Sequence, residues 1–305
     1  MTMRGCSLAL FGLLALAGCE AVDDHGLSGS PAANPALLRP PRIPLAPGDL
    51  PPLDDQPATA PDATPKSWWK PTVGMTWDWQ LQTPHDFSYD VQVYDIDLFD
   101  SDPSLIAKLH AQGRKVICYV NLGAWENWRP DRELFPPEVI GAQWPDFPRE
   151  YWLDIRRWDL LSPAVGARLD MAVAKGCDAV EPDNMDGWNM FAHNPSGFPL
   201  TPEDQLIYNR QVAAAAHARG LAVGLKNDTP QAAALADAFD FHVSEQCFEF
   251  NECKDLMTFI QLGKPIFEAE YSLPLEMFCS QAKALQISSI RKKDANLNAW
   301  RETCP

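Results

Sequence analysis

No Gly-rich phosphate loop follows any strand-like run in this sequence, so a nucleotide site on a doubly wound sheet has no support. There is no Cys-x-x-Cys pair, and the six histidines are scattered, which removes the usual zinc frameworks. Nor is there a Gly-x-Ser-x-Gly elbow. His217 and His242 have no evident nucleophile partner, which argues against a Ser-His-Asp hydrolase. Positive charge is scarce: 25 Lys and Arg face 41 Asp and Glu, a formal charge of −16. Such a chain repels phosphates and attracts cationic polymers, so nucleic acid is excluded as a partner. The N-terminal apolar run is too short to cross a membrane. No metal and no cofactor is expected, and the chain is expected to be a monomer.

That N-terminal run reads as an export signal. Arg4 supplies a charged start, Leu8 to Leu16 an apolar stretch, and small residues follow. Leu16-Ala17-Gly18-Cys19 is similar to the lipobox of bacterial lipoproteins, which implies residues 1–18 as a signal peptide and Cys19 as the lipidated first residue. Residues 19–66 are rich in Pro, Ala and Asp without apolar periodicity, so they are expected to form a disordered tether. The folded domain is expected over residues 67–305, in a protein anchored by lipid to the bacterial cell envelope. Loss of residues 1–18 removes Arg4 and no acid, taking the formal charge from −16 to −17.

Six cysteines remain beyond Cys19. Export permits disulfides, and Cys247 and Cys253 in "CFEFNEC" are close enough to pair. Cys118 lies within an apolar run and Cys177 just before one, so both are expected as buried free thiols.

From Trp68 onward, short β-branched and aromatic runs alternate with helical patterns. Strands are expected at 73–81, 91–98, 115–123, 178–184, 221–228, 241–248, 264–271 and 288–293, with helical patterns at 102–114, 163–176, 202–220, 229–239, 253–263 and 274–286. Eight strands with intervening helices predict an α/β fold, a (β/α)8 TIM barrel preceded by the signal and the Pro-rich linker. A doubly wound open sheet is the alternative. The segment "YWLDI" (151–155), with no helix on either side, is assigned to an insertion.

In such barrels the chemistry gathers at the C-terminal strand ends. Here those ends carry Trp77 and Trp79, Asp95 and Asp97, Asn121, Glu181 and Asp183, Lys226 and Asp228, Glu245, and then Glu268, Glu270 and Tyr271. Carboxylates crowded at one mouth suit glycoside hydrolysis, which needs one protonated acid and one ionised nucleophile or base. Calcium is the rival reading of "EPDNMDG". Met185 stands where an oxygen ligand is needed, and no bidentate Glu follows.

Six stretches in order, "YDIDLFD", "ICYVNLGAWENWR", "VEPDNMDGW", "VGLKND", "SEQCFEFNEC" and "KPIFEAEY", resemble the endo-α-1,4-polygalactosaminidase family of glycoside hydrolases over residues 68–295. The resemblance implies a TIM barrel that hydrolyses α-1,4-linked galactosamine polymers at deacetylated, cationic stretches. It places the catalytic pair on Asp183 and Glu245, with Glu181 competing for the first role. The expected substrate-binding set is Trp77, Asp95, Asp97, Glu181, Asn184, Asp186, Lys226, Asn227, Asp228, Glu270 and Tyr271. One departure stands out: an acidic residue expected soon after the third strand is replaced by "NLGAW", with Glu126 displaced beyond it. A barrel that had lost turnover would instead be a lipid-anchored polysaccharide-binding protein, a reading that the presence of both Asp183 and Glu245 disfavours.

Overall fold

The computed structural model describes residues 67–189 and 196–305. The expected signal, Cys19 and the tether up to residue 66 lie outside them. Twelve strands run in chain order among the described residues: β1 (Trp77–Gln80), β2 (Val93–Asp97), β3 (Lys115–Asn121), β4 (Ala124–Glu126), β5 (Ile140–Gln143), β6 (Glu150–Leu153), β7 (Ala179–Asp183), β8 (Ala222–Lys226), β9 (Phe241–Glu245), β10 (Ile266–Glu270), β11 (Ser288–Lys292) and β12 (Arg301–Thr303). The helices are α1 (Pro103–Ala111), α2 (Trp158–Lys175), α3 (Pro202–His217), α4 (Ala232–Leu235), α5 (Met257–Gln261) and α6 (Leu275–Leu285).

Eight strands, β1-β2-β3-β7-β8-β9-β10-β11, pair in parallel in that order, and β12 adds antiparallel to β11. The seam is closed by two donating side chains and three accepting carbonyls. Trp77 Nε1 donates to Ser288 O, Arg301 of β12 donates to Trp77 O, and the Leu297 carbonyl accepts from Leu81 N and Gln82 N. The result is a (β/α)8 TIM barrel, with each expected barrel strand in its expected place.

Alternation along the strands divides two apolar layers. Val93, Ile117, Ala179, Ala222, Phe241, Phe267 and Ile290 point inward and pack with Trp77 and Trp79 to fill the barrel floor. Tyr94, Ile96, Val116, Val180, Val223 and Leu225 point outward into the layer shared with the helices. Small residues on β7 and β8 make room for the aromatic ones: a Cβ on Gly224 would fall 2.3 Å from the Phe241 ring.

Helices begin where local signals place them. Asp102 caps α1 by accepting from Ser104 N, and Thr201 and Asp204 form a reciprocal capping box on α3. Three expectations are corrected. α2 starts at Trp158, so Pro163 lies inside it rather than at its first position. The patterns at 229–239 and 253–263 yield only the short α4 and α5, each preceded by a 3-10 turn. Cys118 and Cys177 are not free thiols. They form a disulfide with Cα atoms 6.0 Å apart, because β3 and β7 are neighbours in the sheet despite a sequence separation of 59. Cys247–Cys253 pair as expected, and Cys279–Cys304 ties α6 to the end of β12.

Between β3 and α2 an insertion builds a small antiparallel sheet, β4-β6-β5, over the C-terminal rim of the barrel. "YWLDI" belongs to it, as expected.

Candidate active site

Asp183, Lys226 and Glu245 are the last residues of β7, β8 and β9, three adjacent strands. Each is followed at once by backbone in the left-handed region: Asn184 (φ 59°), Asn227 and Asp228 (φ 49° and 44°), and Gln246 (φ 57°). A side chain there costs about 1 kcal/mol, least for Asn and Asp. The turns end the strands abruptly while the last side chain still faces the barrel mouth.

Those three side chains meet. The Lys226 ammonium lies 2.9 Å from Asp183 Oδ1, 3.2 Å from Glu245 Oε2 and 3.2 Å from Glu181 Oε1, with the Trp79 ring 4.7 Å away. Each outer carboxylate also receives a phenol. Tyr119 donates to Asp183 Oδ2 at 2.8 Å, and Tyr271 donates to Glu245 Oε1. Asn227 brackets Glu245, its Nδ2 donating to Oε2 at 3.1 Å while its Oδ1 accepts from Glu245 N. Burial alone would raise the Asp183 carboxyl. The Lys226 charge and the bonds from Lys226, Tyr119 and Asn184 N outweigh it and hold Asp183 below the ordinary range. Burial pushes the Tyr119 and Tyr271 phenols well up, so both remain donors. Burial would lower Lys226, but Asp183, Glu245 and Glu181 together raise it, and it stays charged.

Behind this layer, Glu181 and Asp95 are fully buried side by side on β7 and β2. Burial lifts Glu181 to about 7 and, with Glu181 as neighbour, lifts Asp95 well above the usual carboxylate range. Both are thereby pushed toward their protonated forms. Asp186, half-buried after β7, is raised to about 7 by burial and then by Asp183.

The rim is set by the insertion. Arg129 pairs with Asp97 at 2.5 Å and with Glu126 at 2.8 Å, and the buried Arg168 joins Asp131 at 2.7 Å and Glu126 at 3.3 Å. Gly123 lets the chain pass: a Cβ there would fall 1.7 Å from the Asn184 carbonyl oxygen. The acid that reaches the site from this side is Glu150 of β6. Its Oε2 accepts from Asn121 Nδ2 at 3.0 Å and from Asn184 Nδ2 at 3.3 Å. Burial first, then the Asp183 and Glu126 charges, push it up to about 8.

These raised carboxyls carry a stability prediction. A carboxyl whose folded pKa exceeds its unfolded value stabilises the fold below the unfolded pKa, and that contribution is lost as pH rises through the folded pKa. For Glu181, Asp186 and Glu150 the window runs from about 4 to about 8. The melting temperature is expected to fall by on the order of 5 °C between pH 5 and pH 8. Glu150→Gln and Glu181→Gln should each flatten the slope. A melting temperature that climbs over this range contradicts the reading.

The structure brings together Asp183, Glu245, Glu181, Lys226, Asn184, Asp186, Asn227 and Tyr271, and it places five expected contacts elsewhere. Trp77 is 1% exposed in the barrel floor, one layer below Trp79, because alternate inward residues stack in depth. Asp97 faces the mouth but is engaged by Arg129 and by Phe99 N and Asp100 N. Asp228 accepts from Trp188 Nε1 and Asn209 Nδ2 and so clamps the turn after β7. Glu270 lies on the opposite face of β10 from Tyr271, with Glu268, and accepts from Phe248 N and Glu249 N in the Cys247–Cys253 loop. Asp95 is fully enclosed, so its carboxyl acts on Glu181. Met185 is buried in the outer core, as its apolar side chain requires. Sequence reasoning missed Tyr119, Gly123 and Glu150. Tyr119 was detectable, being two residues before Asn121 on the same face of β3.

A parallel eight-stranded barrel with a lysine-bridged pair of carboxylates at its C-terminal mouth defines a glycosidase-like protein. The family model of glycoside-hydrolase family GH114 matches residues 58–305, and the chain belongs to that family. It is similar to the crystal structure of Aspergillus fumigatus Ega3 in complex with galactosamine, at 39% identity and a TM-score of 0.73, covering 78% of this chain and 98% of that one. The glycoside hydrolase domain of PelA from Pseudomonas aeruginosa shares the fold, at 12% identity and a TM-score of 0.59, covering 75% and 97%. An uncharacterized protein of Deinococcus radiodurans is 27% identical over 196 residues, 61% of this chain and 58% of that protein.

Proposed function

We propose that this glycoside hydrolase is an endo-α-1,4-polygalactosaminidase that cleaves galactosamine-containing polysaccharide with Asp183 as nucleophile or base and Glu245 as general acid. The observation that carries the reading is the single Lys226 ammonium contacting both carboxylates, which supports one reacting centre for the two. Asp183 is kept ionised by Lys226 and Tyr119, as attack or proton abstraction requires. Glu245 stands across the lysine with Tyr271 on its other oxygen, placed to protonate a leaving sugar oxygen. Ega3, solved with galactosamine, supports the choice of sugar. The acidic composition supports a cationic, deacetylated stretch as the bound segment.

The test is incubation of the purified domain with partly deacetylated α-1,4-galactosamine oligomers, followed by mass spectrometry. Internal cleavage is expected, and intact oligomers after prolonged incubation would sink the proposal. The two Lys226 contacts cap the distance between the facing oxygens of Asp183 and Glu245 at about 6 Å, which favours the close spacing of a retaining pair, ~5–5.5 Å between carboxyl groups. Retention is therefore the expected outcome, visible as an α-anomer in the first NMR spectra of the product. An initial β-anomer would reassign Asp183 as base.

The same proposal places the barrel on the cell envelope through a lipid on Cys19, with the Pro-rich segment as tether. Cys19→Ala should release the protein from the membrane fraction. Unchanged fractionation would remove the anchor.

A further inference from the structure

Six carboxylates of the rim and mouth have a cation beside them. Asp97 and Glu126 have Arg129, Glu126 and Asp131 have Arg168, and Glu181, Asp183 and Glu245 have Lys226. Glu150 differs. It is 9% exposed, and among the described residues no Lys, Arg or His pairs with it. Two side-chain amides hold one of its oxygens instead. They come from Asn121 at the end of β3 and from Asn184, the residue after Asp183. A buried carboxyl held on fixed amide donors, with no cation of its own, is a vacant half of an ion pair.

We propose that Glu150 reads the substrate's ammonium group: its carboxylate, presented on Asn121 and Asn184 beside Asp183, pairs with the amine of a deacetylated sugar bound next to the reacting bond. The inference rests on the galactosamine reading above and adds the residue that discriminates an amine from an acetamide. The charged and titratable groups facing Glu150 are Asp183 from β7, Glu126 from β4, Arg129 after β4, and the Tyr119 phenol from β3. In the free protein Glu150 retains its proton at neutral pH. A sugar ammonium arriving beside it supplies the missing positive charge, so the carboxyl ionises, the ammonium keeps its three hydrogens and one proton leaves to solvent. An acetamide has no charge to offer, and it leaves Glu150 protonated. Selection for the free amine and proton release on binding are one event.

The test uses the inactive Glu245→Gln protein, so that oligomers stay intact, and titration calorimetry at pH 7 in phosphate and in Tris, whose ionisation enthalpies differ. A galactosamine oligomer should bind with release of close to one proton, and its fully N-acetylated counterpart with release of none. Adding Glu150→Gln should abolish most of that release and weaken galactosamine binding about 10-fold or more, while acetylated binding changes less than 2-fold. Glu150→Asp, which keeps an acid, should retain proton release at reduced affinity, a result that a merely structural role does not produce. Proton release and amine preference unchanged by Glu150→Gln would overturn the role of Glu150 and leave the galactosamine reading standing. Failure of the parent protein to bind any galactosamine oligomer would overturn both.

Discussion

Asp183→Asn and Glu245→Gln are each expected to lower kcat for galactosamine-oligomer hydrolysis by about 10³-fold or more, with far-ultraviolet circular dichroism unchanged. The magnitude follows from the geometry. Asp183 is held below its ordinary pKa while its neighbours Glu181, Asp186 and Glu150 are all raised, so none of those three is ionised enough to replace it. Glu245 is fixed by Tyr271, Asn227 and Lys226, and the amide of Gln keeps those contacts in part while losing the transferable proton. Asp183→Asn gives up the charge that Lys226 and Tyr119 favour, so that variant should keep its fold at somewhat lower stability than the parent. Leaving groups discriminate the roles. An activated aryl leaving group needs little protonation, so it should rescue Glu245→Gln substantially and Asp183→Asn hardly at all. Residual activity above a tenth of the parent in either variant would remove that residue from the reacting pair.

How far the sequence discloses this site depends on which distances it can express. Period-two alternation and the β-α rhythm are local, so the eight barrel strands and the residues ending β7, β8 and β9 are legible. Depth along a strand is less so: Trp77 and Trp79 share a face, yet one fills the floor while the other lies under Lys226. Face is also easily misread at strand ends, where Glu270 and Tyr271 are adjacent in the chain and point to opposite sides of β10. Contacts between elements far apart in sequence are the least legible. Glu150 reaches Asn184 because the insertion folds back over the rim as β4-β6-β5, and Cys118 meets Cys177 because β3 and β7 are neighbours. Glu150 thus reaches the end of β3 and the turn after β7 from further along the chain.

Lys226→Met is the second substitution with a large expected effect, and it acts on the carboxylates without touching them. A buried ammonium now faces three acids within 3.2 Å, and methionine fills much the same space with no charge. Removing one member of a buried ion cluster costs about 3–5 kcal/mol when the partners stay ionised. Here they are free to take up protons instead. The Asp183 pKa should therefore rise, because Lys226 is the largest influence opposing its burial. At pH 7 the variant is expected to lose about 10²-fold or more in kcat, and the acid limb of its pH–rate profile should move upward by roughly one unit or more. Lys226→Arg is no substitute, since a planar guanidinium demands a different arrangement of oxygens against the Trp79 ring. The decisive comparison is a double variant. If Lys226 works by keeping Asp183 ionised, adding Lys226→Met to Asp183→Asn should cost far less activity than it does alone, because the group it serves is already gone. Full additivity of the two losses, or an acid limb that stays in place, would show that Lys226 acts elsewhere in the reaction.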